Sequence, residues 1–419
     1  MSNSDRARPI PLDPPVISAI CDDISPYLEK NDLFGDANPI NDQPSVLKKN
    51  KIILITHEYP PQRGGAGVYC EELCYAASQL SIELEIWAPK SSHTKDSSII
   101  RLMPQKGSQD WNCSWSLVWF IKKNLKSARY LHIADPGSLR AMIRFGWVFH
   151  NLPPLIITIH GSELLRFTRL PLEKFLFRKL LRRSEKVHVL SKHNADNLKK
   201  LCPEISHRIL RIPGAPARNV IPKGNGNPPT IHPTPNDELI TLLCVGRIHP
   251  RKGQLELLRT INSLNKESQK KLVCRIVGPI IDSSYFKKLK NLASQSVCKI
   301  IFVGELNDDE LRAEYEKSDL FALTSIPTKK SIEGFGFVYL EASAHGLPII
   351  AHKTGGVEDA VLDGKTGFLI EPNKPHELSQ KLELLINHSQ LRDEMSKNGR
   401  TWAQEHSWER VAQKLYLTE

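Results

Sequence analysis

Two glutamates, Glu333 and Glu341, stand eight positions apart around a glycine-rich stretch. Apolar residues at helical spacing predict a helix that begins after Gly336 and ends near Gly346. A helix N-terminus offers unpaired backbone N–H groups and a partial positive charge, which suit a phosphate. Carboxylates accept hydrogen bonds from hydroxyl groups, so two of them suit a sugar. The stretch therefore predicts a site for a phosphorylated, hydroxyl-rich ligand, and a helix cap beside a solvated glutamate is the alternative interpretation.

Two basic residues, Arg247 and Lys252, follow a predicted strand at 239–245 and precede a predicted helix. Two cations beside a helix start can neutralise a diphosphate leaving group, whose negative charge grows as its bond to a sugar breaks. We expect both side chains to point into a solvated cleft. Ordinary surface charge is the alternative interpretation.

Two strand ends in the first half of the chain carry further candidate groups. The first predicted strand, 51–56, is followed by a loop with Gly65 and then by helical spacing, an arrangement that binds phosphate in many proteins. His160 comes directly after a predicted strand at 155–159, at the edge where parallel sheets bind ligands. His57 stands at the end of the first strand and is interpreted as a loop histidine, with a catalytic base as the alternative.

Several sequence blocks, in their order and spacing, resemble the retaining glycosyltransferases of family 4. The blocks lie at 59–67, 246–253, 333–341, 346–350, 355–358 and 364–369. The resemblance covers about residues 51 to 419 and leaves the first fifty without a counterpart. It implies the GT-B fold, an α/β architecture in which two Rossmann-like domains face a central cleft.

The resemblance also implies a role for each candidate residue. Arg247 and Lys252 would bind the diphosphate of the donor. Glu333 would bind hydroxyls of the transferred sugar, and Glu341 would bind those of the ribose. The expected catalytic residues are His160, Glu333, Arg247 and Lys252. The expected donor-binding residues are Gly65, Arg247, Lys252, Leu306, Glu333, Gly336, Phe337 and Glu341.

The expected reaction moves a hexose from a nucleotide-diphosphate sugar to a hydroxyl of a glycan, lipid or small molecule, with retention of configuration. No metal or other cofactor is expected, because the sequence has no D-x-D triplet and Arg247 with Lys252 can stabilise the leaving group. Two alternatives stay open: a catalytically silent nucleotide-sugar-binding protein, and an inverting transferase that uses His57 as base. The base and sugar of the donor stay open as well.

Strands that alternate with helices predict parallel sheets covered on both faces. One of these strands is predicted at 82–87, and the Ser81 before it stands where the family often has glycine, which we interpret as a loop variation. The predicted parts are an N-terminal extension at 1–50 (loosely ordered or packed on the body), a Rossmann-like acceptor-side domain at 51–215, a linker at 216–238, a Rossmann-like nucleotide-sugar domain at 239–400 and a C-terminal helix at 401–419 that crosses back to the first domain.

The composition indicates a soluble or peripheral protein, with 40% hydrophobic and 25% charged residues and no apolar run of the ~20 residues that span a membrane. The start of the chain lacks a secretory-signal pattern, and the eight cysteines include no C-x2-C pair, so we expect reduced thiols in the cytoplasm. A net charge of +11 favours anionic partners. No zinc or RNA-binding motif accompanies it, so nucleic acid is not an expected partner.

Two basic amphipathic stretches predict peripheral contact with an anionic membrane. The stretch 164–186 has eight Lys or Arg and two Glu around an apolar stripe, and 115–126 combines aromatic residues with lysines. Helices packed on the core, with solvated basic faces, are the alternative interpretation. The first interpretation places a cytoplasmic protein on the inner face of a membrane.

Overall fold

The structure is a computed structural model, and it describes residues 51–60, 64–89, 99–102, 110–223, 239–329 and 331–418. The predicted N-terminal extension at 1–50 lies outside the described residues, as does the linker from 224 to 238. The described residues contain two parallel sheets with helices around them. The predicted α/β fold class is therefore confirmed.

Seven parallel strands among the described residues form the first sheet. They are β1 (Ile52–Ile55), β2 (Leu84–Pro89), β3 (Ile99–Leu102), β4 (Tyr130–Ile133), β5 (Leu155–Ile159), β6 (Ser184–Val189) and β7 (Ile209–Arg211). Their order across the sheet is β3-β2-β1-β4-β5-β6-β7. Because the strand order reverses between β1 and β4, a ligand crevice is expected at the carboxyl ends of these strands.

Six helices in the described part of the chain accompany this sheet. They are α1 (Gly65–Gln79), α2 (Trp111–Asn124), α3 (Pro136–Phe145), α4 (Ser162–Arg166), α5 (Pro171–Arg183) and α6 (Lys192–Leu201). Short 3-10 turns occupy Gly146–Val148 and Pro203–Arg208. Helix α3 packs against both α2 and α5. Its N-cap is Asp135, whose carboxylate accepts hydrogen bonds from the backbone N–H of Gly137 at 2.8 Å and of Ser138 at 3.1 Å.

Six parallel strands form the second sheet, again among the described residues. They are β8 (Ile240–Val245), β9 (Leu272–Val277), β10 (Lys299–Gly304), β11 (Leu320–Leu323), β12 (Ile349–His352) and β13 (Gly367–Ile370). The order is β10-β9-β8-β11-β12-β13, so the order reverses between β8 and β11. The helices are α7 (Gln254–Ser263), α8 (Lys266–Lys270), α9 (Ser283–Ala293), α10 (Asp308–Glu316), α11 (Phe337–Ala344), α12 (Pro375–Asn387), α13 (Ser389–Gln404) and α14 (Trp408–Tyr416).

The strand predicted at 82–87 is present but shifted by two residues, since β2 covers Leu84–Pro89. Ser81 and Ile82 instead close the C-terminal end of α1, because Ser81 adopts φ 55° and the backbone N–H of Ile82 donates to the Ala77 carbonyl at 2.9 Å. A left-handed residue of this kind closes a helix C-terminus and is ordinarily glycine. Ser81, interpreted from the sequence as a loop variation, is therefore a left-handed residue at a helix end.

The last helix, α14, lies against α1 of the first domain. Trp408 donates its indole N–H to the Pro216 carbonyl at 3.0 Å, and the Tyr416 hydroxyl lies 2.7 Å from Nδ1 of the buried His132 on β4. The C-terminal end of the chain is therefore bound to the first domain by buried polar contacts. No helix in the described part of the chain is both long enough and apolar enough to span a membrane.

Candidate active site

A cleft of about 660 Å³ lies between the two domains. Its walls contain residues from the carboxyl ends of β1 and β5 on one side and of β8, β9 and β10 on the other. The predicted site residues in its lining are Gly65, His160, Arg247, Lys252, Leu306, Glu333, Gly336, Phe337 and Glu341. Among the residues described, no three His, Cys, Asp or Glu side chains are grouped as a metal site would require.

Glu333 is the centre of an ion-pair cluster in this cleft. Its Oε2 atom accepts hydrogen bonds from Lys252 Nζ at 2.8 Å, from Arg251 Nη1 at 3.0 Å and from Ser325 Oγ at 3.0 Å. Burial would raise the pKa of the Glu333 carboxyl, but the charges of Lys252 and Arg251 prevail and lower it to about 2. The carboxylate is therefore ionised, and its Oε1 atom takes part in none of these three bonds.

Lys252 and Arg247 occupy different environments, which corrects one expectation. Arg247 is exposed on the cleft wall, as predicted. The Lys252 side chain is only 13% exposed and is bonded to Glu333, so it is not a solvated cation. Burial lowers the pKa of its ammonium group, and the neighbouring Glu333 carboxylate opposes that shift.

Arg251 is a cleft residue that the sequence interpretation missed. Its guanidinium is as deeply placed as the Lys252 ammonium, and both approach the same carboxylate oxygen. The 3-10 turn Pro250–Lys252 directs the two neighbouring side chains to one side. The adjacent Arg-Lys pair was the available signal, but spacing alone does not show that consecutive residues outside a regular helix converge.

Glycines allow the loops around Glu333 to approach each other. Gly253 has φ 70°, and a Cβ atom there would lie 1.7 Å from the Thr324 carbonyl oxygen. A Cβ atom on Gly334 would lie 1.5 Å from the carbonyl oxygen of His160, in the other domain. Side chains at these positions would therefore separate Lys252 from Glu333, or the second domain from the first.

His160 is held rigidly at the carboxyl end of β5. Its Nε2 atom donates to the carbonyl oxygen of Ala134 at 2.8 Å, so Nδ1 is the acceptor of the neutral ring. The carboxylate of Glu163 accepts hydrogen bonds from the backbone N–H of His160 at 3.1 Å and of Gly161 at 2.7 Å. The Tyr69 ring meets the imidazole edge to face at 5.1 Å. The side chain is thereby fixed in the cleft wall.

Glu341 lies one turn inside α11 and is 5% exposed. The Tyr315 hydroxyl donates to its Oε2 atom at 2.9 Å. Burial raises the pKa of the Glu341 carboxyl to about 7, although the Tyr315 hydrogen bond acts in the opposite direction. Near neutral pH this group can therefore accept a hydrogen bond as a carboxylate or donate one as an acid.

The start of α11 faces the start of α1 across the cleft. A Cβ atom on Gly65 would lie 4.0 Å from the Phe337 ring, and one on Gly214 would lie 2.3 Å from it. The ring is 9% exposed and lies 5.4 Å from the Trp408 ring. Phe337 therefore fills the space between the domains with its side chain, which leaves its backbone N–H as the group for a ligand. Gly336, with φ 91°, turns the chain into the helix.

His57 and its neighbour Glu58 differ in their access to the cleft. His57 Nδ1 lies 3.6 Å from Asp135 Oδ1, longer than a hydrogen bond, and His57 is absent from the described lining of the cleft. Glu58 is part of that lining, and burial together with the charge of Asp135 raises the pKa of its carboxyl. Sequence reasoning missed Glu58, for which an acidic residue three positions after β1 was the signal.

Two family models match the chain. "Glycosyltransferase Family 4" matches residues 63–215, and "Glycosyl transferases group 1" matches residues 231–402, so together they cover most of both domains. A mannosyltransferase of Mycolicibacterium smegmatis, named as GDP-mannose-dependent and acting on phosphatidylinositol monomannoside, is 25% identical over 391 residues, which cover 84% of this chain and 93% of that protein. A D-inositol 3-phosphate glycosyltransferase of Corynebacterium glutamicum is 29% identical over 41% of each chain.

Solved structures share the architecture. A sucrose-phosphate synthase of Thermosynechococcus elongatus superimposes with a TM-score of 0.72 at 19% identity, covering 88% of this chain and 97% of that one. Anabaena HepE, solved with UDP and glucose, gives 0.65 at 16% identity over 87% and 98% of the two chains. At these identities the likeness concerns the fold. The two family models show that this chain is a glycosyltransferase of family 4, the glycosyl transferases group 1, and the solved structures show that it has the two-domain GT-B fold.

Proposed function

We propose that the protein transfers a hexose from a nucleotide-diphosphate sugar to an acceptor hydroxyl, with retention of configuration and without a metal ion. The proposal rests above all on the convergence of Glu333, its two cations and Glu341 in one cleft. The sequence places Lys252 and Glu333 eighty-one residues apart, so their contact is a property of the folded cleft.

The cations supply the electrostatic part of the reaction. Lysine has three N–H donors and arginine five, so Lys252 and Arg251 can keep their bonds to Glu333 and still bind phosphate oxygens. Arg247, on the exposed wall, provides a third positive charge. As the bond between the sugar C1 and the phosphate oxygen breaks, these charges stabilise the diphosphate.

The two glutamates bind the hydroxyl-rich parts of the donor. Glu333 offers Oε1 to a hydroxyl of the transferred sugar, while Oε2 stays bonded to Lys252 and Arg251. Glu341, one turn inside α11, accepts a hydrogen bond from the ribose. The backbone N–H of Phe337 and the positive end of the α11 dipole stabilise the negative charge of the diphosphate.

The first domain binds the acceptor and excludes water. The acceptor oxygen forms the new bond to C1, and its proton passes to an oxygen of the departing diphosphate. His160 and Gly65 both line the cleft. In this proposal His160 faces the transferred sugar and Gly65 the diphosphate. The contact between Gly334 and the His160 backbone brings the domains together around the donor, which limits hydrolysis.

The relatives suggest the donors and acceptors to test. One is named for GDP-mannose and a phosphatidylinositol-linked acceptor, and HepE was solved with UDP and glucose. Both bases therefore belong in a donor screen, and a lipid-linked hydroxyl belongs among the acceptors. A cytoplasmic enzyme at the inner face of a membrane is part of this proposal.

The decisive experiment measures turnover of UDP-, GDP- and ADP-hexoses by the full chain with glycan, lipid and small-molecule acceptors, with and without excess chelator. We expect nucleoside diphosphate release that chelator leaves unchanged. Loss of activity that Mg²⁺ or Mn²⁺ restores would contradict the metal-free mechanism. Donor binding without turnover, for every donor and acceptor, would favour the catalytically silent alternative.

The stereochemistry is read from the NMR coupling constant across the new glycosidic bond. An α-linked product from an α-linked donor is expected. A β-linked product, lost in His57→Ala but formed by Asn124→Ala on the far helix α2, would instead establish His57 as the base of an inverting enzyme.

A further inference from the structure

We propose that one face of the first domain docks on an anionic lipid bilayer. We call it the aromatic-basic face. It is formed by α2, the turn Gly146–Val148 and residues 162–183, which contain α4 and α5. Its exposed apolar residues are Trp111, Trp119, Trp147, Leu165, Leu170, Leu172 and Phe175. Its exposed basic residues are Lys122, Lys123, Lys126, Arg169, Lys174 and Lys179. This inference deepens the membrane location that the proposed function includes, and its test is independent of the proposed reaction.

The parts of this face are contiguous. Helix α3 packs between α2 and α5, and Arg144 on α3 lies over the Trp111 ring at 4.2 Å. The Trp147 indole N–H donates to the Arg144 carbonyl at 3.0 Å. Arg144 thus connects α2 with the turn, and the packing of α3 on α5 joins both to α5.

The exposure of this face is unusual for a soluble surface. Trp111 is 60% exposed, Trp147 63% and Leu172 70%. On α5, Phe177, Leu180 and Leu181 are buried against the domain, yet Leu172 and Phe175 point outward without a covering element in the described structure. A helix with apolar residues beyond its core-facing stripe has a second surface to bury.

The surrounding charge identifies the occupant. The exposed basic residues of the face are lysines and arginine, whereas its acids are Asp110, which caps α2, and the half-buried Glu173. Tryptophan and tyrosine rings concentrate at the membrane–water interface, and lysine stems extend from it toward anionic headgroups. Exposed tryptophans within a positively charged rim therefore match an anionic bilayer.

Some basic residues of the predicted membrane-binding stretches already have bonding partners within the protein. Arg178 and Arg182 pair with Glu204, and Arg183 donates to the carbonyls of Phe149 and His150 at 2.9 and 3.2 Å. These three arginines of the predicted stretch 164–186 therefore have structural partners. In the second predicted stretch, 115–126, Trp115 is half-buried and stacks on Trp119.

The face adjoins the cleft. On α4, Leu165 is 39% exposed, and the next residue, Arg166, belongs to the cleft lining. A bilayer on the aromatic-basic face would thus bring lipid headgroups near the rim of the cleft. Docking and access to the cleft would be linked through one short helix.

The test is sedimentation of the full chain with vesicles of phosphatidylcholine alone or with a quarter phosphatidylglycerol. We expect at least tenfold stronger partition to the anionic vesicles at low salt. In the triple variant Trp119→Ser, Leu172→Ser, Phe175→Ser, partition to the anionic vesicles should fall at least tenfold. The same loss is expected in the triple variant Lys123→Gln, Lys174→Gln, Lys179→Gln. Circular dichroism and thermal midpoints establish that the variants are folded.

Matched variants elsewhere on the surface serve as controls. Ile281→Ser with Val297→Ser removes equally exposed apolar groups of the second domain, and Lys266→Gln, Lys287→Gln, Lys288→Gln removes three of its charges. These should bind as the wild type does. No partition of the wild type to anionic vesicles, or equal losses in the controls, would overturn the proposal. So would a wild-type dimer in sedimentation velocity that the Trp119 variant abolishes, because the face would then join two copies.

Discussion

Arg247 and Lys252 were assigned one role from the sequence, but the structure gives them different surroundings. Arg247 is exposed on the cleft wall, whereas Lys252 is 13% exposed and bonded to a buried carboxylate. Removing one partner of a buried pair leaves the other charge without compensation. The two residues should therefore differ in what their loss does to stability, even if both bind the diphosphate.

Alanine substitution tests this difference. Arg247→Ala and Lys252→Ala should each lower kcat/KM roughly tenfold to a thousandfold, the effect of losing about 1.4 to 4 kcal/mol of charge stabilisation. Only Lys252→Ala should also lower the unfolding free energy, by about 1 to 3 kcal/mol, because Glu333 keeps Arg251 but loses one buried bond. Steady-state kinetics and urea unfolding measure the two effects.

Arg251→Ala is the matched comparison, since it removes the other cation from the same oxygen. It should destabilise the protein about as much as Lys252→Ala. Equal unfolding midpoints for all three variants would show that the Glu333 cluster is not a stabilising element, and normal kinetics in both Arg247→Ala and Lys252→Ala would remove the diphosphate role.

At this scale the sequence predicted positions better than contacts. The spaced blocks identified Glu333, Glu341 and Lys252, and the structure brings these residues to one cleft. The sequence did not predict that Lys252 is buried against Glu333, because this pairing depends on a turn at Gly253 that packs on Thr324. Arg251 and Glu58 were missed, because an adjacent Arg-Lys pair and an acidic residue near a strand end do not by themselves indicate a site.

Among the elements, the sheets were the most predictable part of the fold. Continuous apolar runs such as Ile52–Ile55 and Leu320–Leu323 are completely buried central strands. The edge strand Ile209–Arg211 was missed, because its three residues are only partly buried and have little apolar pattern. The positions of the loops between strands could be predicted from the spacing of the family blocks. The hydrogen bonds that these loops make across the cleft could not, because those bonds depend on tertiary packing.

The end of α1 offers a prediction on backbone conformation. Ser81 has φ 55°, a left-handed conformation that costs a non-glycine residue about 1 kcal/mol or more. Ser81→Gly should therefore raise the unfolding free energy by roughly 0.5 to 1 kcal/mol after the added flexibility of the unfolded chain is subtracted. Urea unfolding at neutral pH measures the change.

Ser78→Gly, in the last turn of the same helix, is the matched control. It should lower stability by about 0.5 kcal/mol, because glycine is less favourable than serine inside a helix. A destabilising Ser81→Gly would mean that the left-handed conformation is not the strained element at this helix end.

Across the whole molecule, buried histidines connect segments that are distant in sequence. His132 on β4 contacts Tyr416 of the last helix, and His188 on β6 donates from Nε2 to the Ile212 carbonyl at 2.9 Å. His345, after α11, donates from Nε2 to the Val220 carbonyl at 2.8 Å. These contacts join β4, β6 and the end of α11 to the last helix and to residues 212–220. Protonation of the histidines therefore affects the stability of the protein.

The sign of this pH dependence follows from the direction of each shift. Burial lowers the pKa of His188 and of His345 to about 4, although their bonds to backbone carbonyls oppose it. Unfolded histidine titrates near 6.5, so their stabilisation is complete above that pH and is lost as pH falls toward 4. Glu72 and Glu341 act oppositely, because burial raises their carboxyl pKa values to about 7 and stability falls as pH rises from about 4.5 to 7.

Because these opposing groups obscure one another in the wild type, a single substitution is needed to isolate one of them. In His345→Gln the amide N–H can replace the Nε2 bond to Val220 but cannot titrate. The Nδ1 atom of His345 is buried without a hydrogen-bond partner among the described residues, so a proton there gains no bond. Between pH 7.5 and pH 5 the wild type should therefore lose up to about 2 kcal/mol more stability than His345→Gln. Urea midpoints at pH 7.5, 6 and 5 measure this, with the exposed His376→Gln as control; a pH dependence in His345→Gln as steep as in that control would show that His345 is not an acid-sensitive contact.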